Sequence, residues 1–171
     1  GSSSVLATQS FDGSGDRAFR WTPGGLTELP NLVTVTGGTA FVTASDVTAD
    51  GGVIVGRVRT NATGSARVAA LFYNNGTYVQ QIYPLADYNG PAAATAVSKD
   101  GNVVYGFCSD ANFNTQAFRW TPQSGTVALG FLQSGDVASL PAARGVSADG
   151  SVMVGSSGAP NADNPAGTFG P

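Results

Sequence analysis

Val47-Thr48-Ala49-Asp50-Gly51-Gly52-Val53-Ile54-Val55-Gly56 decides the fold, because the chain writes it three times. It returns as Val97-Ser98-Lys99-Asp100-Gly101-Asn102-Val103-Val104-Tyr105-Gly106 and as Val146-Ser147-Ala148-Asp149-Gly150-Ser151-Val152-Met153-Val154-Gly155, at intervals of 50 and 49 residues. Each copy reads as a β-hairpin. Apolar residues flank a central Asp-Gly pair, a strong hairpin signal because glycine accepts positive φ and aspartate tolerates it. Asp50, Gly51, Asp100, Gly101, Asp149 and Gly150 are therefore read as structural turn residues.

Outward from the hairpins, a second segment recurs with the same period. Ala18-Phe19-Arg20-Trp21-Thr22-Pro23 and Ala117-Phe118-Arg119-Trp120-Thr121-Pro122 are close copies, and Ala70-Leu71-Phe72-Tyr73-Asn74-Asn75 aligns as a degenerate third. This alignment places Tyr73 with Trp21 and Trp120, and Phe72 with Arg20 and Arg119. Each copy reads as a strand, with Phe19 and Trp21 on one face and Ala18 and Arg20 on the other. A Gly-containing turn follows each time (Pro23-Gly24-Gly25, Asn75-Gly76, Ser124-Gly125), then a short strand. Two segments sharing one period establish an internal repeat.

The reading is one all-β domain over 1–171, made of three tandem four-stranded antiparallel units at about 18–56, 70–106 and 117–155. An extra N-terminal strand lies at 4–9, and a C-terminal tail at 156–171, where Ala166-Gly167-Thr168-Phe169 echoes another aromatic strand. Four-stranded meanders of this length suggest β-propeller blades; a β-trefoil or β-prism is the alternative. Three units do not easily close a ring. Two arrangements remain open: a three-unit β domain closed on itself, or strand exchange in which a neighbouring copy completes the end strands, which the loose terminal strands fit. No helix is expected: Ala92 to Ala96 is Ala-rich but short, and follows Pro91.

Composition narrows the function. Charged residues make up 11% of the chain, against about 25% in an ordinary soluble domain, yet nine Phe, five Tyr and two Trp supply a core. This balance fits secreted and surface-array proteins. The net charge is −3 and no basic run exists, which argues against nucleic acid. No apolar run is long enough for a membrane span. Cys108 is the only cysteine, so no intrachain disulfide forms, and it reads as a buried, inert thiol. Gly1-Ser2-Ser3-Ser4 reads as a mature end after cleavage or as a cloning remnant.

At Arg17-Ala18-Phe19-Arg20-Trp21-Thr22, with Val47 to Gly56 behind them, the chain resembles the HAF-family extracellular repeat. The resemblance runs from about Val5 to Gly155 and implies a secreted or cell-surface bacterial or archaeal protein with a propeller-like β repeat. Similar repeats occur in autotransporter passenger regions. The family's leading histidine is replaced here by Arg17, Ala69 and Gln116.

No catalytic residue is assigned. The chain has no histidine, which removes the commonest general base, the usual triads and most zinc sites. Arg20, Trp21, Tyr73, Arg119 and Trp120 are the candidate ligand-binding residues, as guanidinium and aromatic groups repeated at similar positions. Core and inter-unit packing is the favoured reading of the same residues. No cofactor is required. A calcium ion is the candidate metal, because Asp12 with Asp16, and Asp110 with Asn112 and Asn114, place oxygen ligands at alternate positions in two loops. Both loops lack the bidentate Glu of a full calcium loop, so a polar loop is favoured. Asn61-Ala62-Thr63 and Asn75-Gly76-Thr77 match the glycosylation pattern. The expected function is a non-enzymatic extracellular structural or self-assembling protein: a surface-layer, fibre or matrix subunit whose partners are other copies of itself. The alternative is a glycan-binding or adhesion module.

Overall fold

The computed structural model describes residues 4–9, 15–32, 40–60, 66–130 and 142–156. The Gly1 to Ser3 end, Asp12, the Asn61-Ala62-Thr63 triplet and the tail beyond Ser156 lie outside the described residues. The described residues form thirteen strands and no helix. The first sheet holds β1 (Ser4–Gln9), β2 (Gly15–Thr22) and β3 (Gly25–Glu28). The second is the meander β4 (Ala40–Val47), β5 (Ile54–Arg59), β6 (Arg67–Tyr73) and β7 (Tyr78–Gln81). The third repeats it as β8 (Ala92–Val97), β9 (Val104–Ser109), β10 (Thr115–Thr121) and β11 (Gly125–Ala128). The fourth is the pair β12 (Ala142–Val146) and β13 (Met153–Ser156). A short parallel contact, Gly15 with Ala40 and Asp16 with Phe41, joins the first two sheets at one corner into a seven-stranded whole.

The sheets pack face to face in series. Ala18 and Leu29 of the first meet Ile54, Val58 and Phe72 of the second. Val55, Ala69 and Leu71 of the second meet Ala92, Val104, Cys108 and Phe118 of the third. Ala96, Val103 and Tyr105 of the third meet Ala143 of the fourth. Each sheet thus has a leading face, toward the sheet before it, and a trailing face toward the next. This is a propeller-like all-β fold, not a trefoil or prism. The Ala-rich segment is strand β8, and its small side chains let two sheets approach it closely.

The period of the repeat stands, but its phase differs from the sequence reading. Sheets begin at the Val-Ser strand, so each unit drawn as 18–56, 70–106 or 117–155 is shared between two successive sheets. The Val-Ser strand, not the aromatic strand, opens a blade: β4 pairs β5 and β8 pairs β9, and the aromatic strands β6 and β10 continue the same sheets.

A third repeating feature was invisible in the sequence. β4, β8 and β12 each carry a bulge, at Ser45, Thr95 and Arg144, where the ladder register shifts. Opposite it stands the glycine closing each hairpin motif: Ala44 pairs Gly56, Ala94 pairs Gly106 and Ala143 pairs Gly155. The bulge pushes the chain toward that glycine, so a Cβ on Gly56 would sit 1.8 Å from the Thr43 carbonyl oxygen. Beside the first bulge, Asp46 accepts hydrogen bonds from its neighbour Val47 N–H (2.8 Å) and from Val97 N–H of the third sheet (2.9 Å).

Candidate functional site

The ladders correct the alignment of the aromatic strand by one residue. Phe118 pairs Gly106 and Ala70 pairs Gly56, while Leu29, Ile82 and Leu129 N–H bond to the carbonyls of Ala18, Ala69 and Ala117. Trp21 and Trp120 are therefore equivalent to Phe72, and Arg20 and Arg119 to Leu71. Tyr73 matches Thr22 and Thr121, and the position before the recurring alanine holds Arg17, Val68 and Gln116. A one-residue slip moves a side chain to the other face. Tyr73 thus leaves the Trp series and stacks instead on Tyr78 across the β6–β7 turn, with ring centroids 5.8 Å apart.

Arg20 points to the trailing face. Its Nε donates to the Gly51 carbonyl (3.3 Å) and Nη2 to Asn75 Oδ1 (3.3 Å), tying the first sheet to two turns of the second. In the third sheet Tyr105 does the equivalent work: its hydroxyl donates to the Gly150 carbonyl at 2.9 Å. Arg119 lies beside Tyr105 as its ladder partner.

The repeated aspartates organise their own turns. Each turn spans four residues, not the two of an Asp-Gly hairpin: Thr48, Ser98 and Ser147 pair by backbone with Val53, Val103 and Val152. Gly51, Gly101 and Gly150 take the positive φ, at 72°, 76° and 71°. Asp50, Asp100 and Asp149 keep negative φ and act as acceptors. Asp100 takes the Ser98 hydroxyl (2.6 Å), the Asn102 N–H (3.0 Å) and the Asn102 Nδ2 (2.9 Å). Asp149 takes the Ser147 hydroxyl (2.5 Å), the Ser151 N–H (3.0 Å) and the Ser151 hydroxyl. These bonds, the Ser98 and Ser147 hydroxyls foremost, push both carboxyls down from 3.8 to about 2, and the Thr48 hydroxyl lowers Asp50 likewise. The turns also stack: a Cβ on Gly150 would lie 2.6 Å from Val103 of the preceding hairpin.

A depressed carboxyl stabilises the fold while it is ionised. The contribution of Asp100 and Asp149 is therefore complete above the ordinary value of 3.8 and is lost as pH falls toward 2. Carboxyl-carbon NMR titration is expected to give both a midpoint near 2, with Asp100→Asn abolishing the turn's share of acid sensitivity in that window. Midpoints near 4 would contradict the bonding described.

Of the described calcium candidates, Asp110 and Asn114 are bonded to each other within their own loop. Asp110 Oδ1 accepts Asn112 N–H and Asn114 N–H at 2.8 Å each, and Oδ2 accepts Asn114 Nδ2 at 2.8 Å. This closes the β9–β10 loop on itself. Asp16 lies on β2 toward Arg57. Among the described residues no three His, Cys, Asp or Glu side chains converge as metal ligands. Cys108 is buried, and burial pushes its thiol up. No described helix could cross a membrane.

The two ends of the stack differ from its middle. Phe72 is fully buried on the leading face of the second sheet, but its equivalent Trp21 is 44% exposed on the first, beside Leu26 at 66%. At the other end, Val55 and Tyr105 are buried on trailing faces, while their equivalent Val154 is 60% exposed and neighbouring Val152 58%. The same kind of interface is thus filled three times inside the stack and left half-made at each end.

No protein-family model matches the chain, and no curated protein matches it in sequence. Solved structures do. TolB from Acinetobacter baumannii superposes with a TM-score of 0.51 at 13% identity, over 81% of this chain and 32% of that one. The protein assigned as TolB from Agrobacterium tumefaciens gives 0.57 at 14% identity, over 90% of this chain and 50% of that one. The chain thus spans half or less of the length of either. At such identity the likeness concerns the β-propeller fold alone.

Proposed function

We propose that the chain is a non-enzymatic extracellular building block that associates with other copies through its two end sheets. The observation carrying this reading is the pair of half-made interfaces: Trp21 and Leu26 at the leading end, Val152 and Val154 at the trailing end. A leading face of one copy repeats the chemistry that covers trailing faces inside the stack. Such a contact is head-to-tail, and it generates rings if it closes and filaments if it does not. Among the described residues the outer edges of β1 and β13 have no ladder partner, which adds unpaired backbone groups on the two end sheets. Low charge offers little electrostatic resistance to the contact, and the resemblance to an extracellular repeat supports the location.

Light scattering on size-exclusion fractions tests it. The expected result is concentration-dependent oligomers in the wild type, reduced to monomer by Leu26→Asp or by Val154→Asp with the far-UV spectrum unchanged. A wild type that stays monomeric at every concentration, or oligomers indifferent to both substitutions, overturns the proposal. The glycan-binding alternative is favoured by the exposed, stacked Tyr73 and Tyr78, and predicts saturable oligosaccharide binding lost in Tyr78→Ala.

A further inference from the structure

Three arginines separated in sequence meet on the trailing face of the second sheet. Arg59 and Arg67 are direct partners across the β5–β6 ladder, and Arg57 is two residues up the same face, opposite Ala69. Phe41 of β4 lies against them, its ring centroid 3.8 Å from the Arg67 guanidinium carbon and 4.9 Å from that of Arg57. Like charges directly opposite on neighbouring strands destabilise a sheet, and one aromatic face offsets only part of that.

Among the described residues no carboxylate pairs with these three arginines, and the one ion pair is Arg17 with Glu28, at 3.6 Å and on the first sheet. Asp16 favours the charged form of Arg57 from a distance, but burial and the Arg67 charge oppose it more strongly. Arg57 Nε reaches the Thr43 hydroxyl at 3.3 Å. The Nε–H groups of Arg59 and Arg67 are buried and have no acceptor among the described residues. A buried donor left without an acceptor is costly, more so on a charged group.

We propose that Arg57 and Arg67, laid over Phe41, form with Arg59 a binding site for an oxyanion. Guanidinium groups present planar forks of donors matched to carboxylate and phosphate oxygens. A single anion supplies acceptors for both orphaned donors and cancels the cross-strand repulsion. The site lies on the second sheet and is independent of association through the end sheets.

Isothermal titration of the full chain with inorganic phosphate, and separately with malonate, at fixed ionic strength tests the site. Saturable binding is expected, weakened about tenfold or more in Arg59→Gln and in Arg67→Gln, and unchanged in Arg144→Gln on the fourth sheet. Phosphate binding alone marks a tetrahedral oxyanion, and malonate binding alone a carboxylate. In anion-free buffer Arg59→Gln is expected to melt no lower than the wild type, because it removes the repulsion; in saturating anion the wild type melts higher. Absence of binding by both probes, or equal binding by the wild type and both variants, overturns the proposal.

Discussion

Phe72→Ala is expected to destabilise the protein by about 3–5 kcal/mol, read as a lower urea midpoint. Phe72 is fully buried between the first two sheets, against Ala18, Leu29, Ile54 and Val58. Truncation there removes the ring's burial and leaves a cavity that the β-sheets on either side cannot collapse into. Trp21→Ala is the informative companion. The tryptophan occupies the same repeat position in a neighbouring sheet, yet 44% of it is exposed. Its loss is expected to cost the monomer under about 1.5 kcal/mol while weakening association. Equal losses at the two positions would mean that the leading face of the first sheet is covered within one chain.

Gly56→Ala is expected to cost about 3 kcal/mol or more, or to prevent folding. The added Cβ would lie 1.8 Å from the Thr43 carbonyl oxygen and 2.8 Å from its carbon, both backbone atoms of the bulged strand. A side chain could rotate away, but the backbone can yield only by unmaking the bulge, which would slip the β4–β5 register and turn its apolar residues outward. Gly125→Ala is the control. Gly125 has a positive φ of 63° but nothing within 4 Å of the added atom, so it bears only the backbone strain, about 1 kcal/mol. A Gly56→Ala protein as stable as Gly125→Ala would contradict so close an approach of the two strands.

The Asp-Gly hairpins and the alternating aromatic strands were legible because each is a local pattern, a turn residue or a period of two, and the strand at 4–9 was legible from its place before the first repeat. The phase of the blades was not, since which hairpin joins which aromatic strand in a sheet is a choice between non-local ladders. The Phe72 alignment failed for a related reason. Tyr73 resembles Trp chemically, and only the pairing of Ala70 with Gly56 shows that it falls on the other face. The candidate calcium residues Asp110, Asn112 and Asn114 showed oxygens at a suitable spacing, but the Asp110 carboxylate is turned to the Asn112 and Asn114 backbone N–H groups of the same loop.

By itself, the sequence determined that this is a repeated, antiparallel, aromatic-filled β protein with a period near 50 residues, because turn chemistry and side-chain alternation act over a few residues and need no partner. Tertiary structure alone decided the bulges, the convergence of Arg57 and Arg67 on Phe41 beside Arg59, and which of several equivalent apolar residues are covered. Those depend on which strands become neighbours, and burial is a property of the neighbour as much as of the residue.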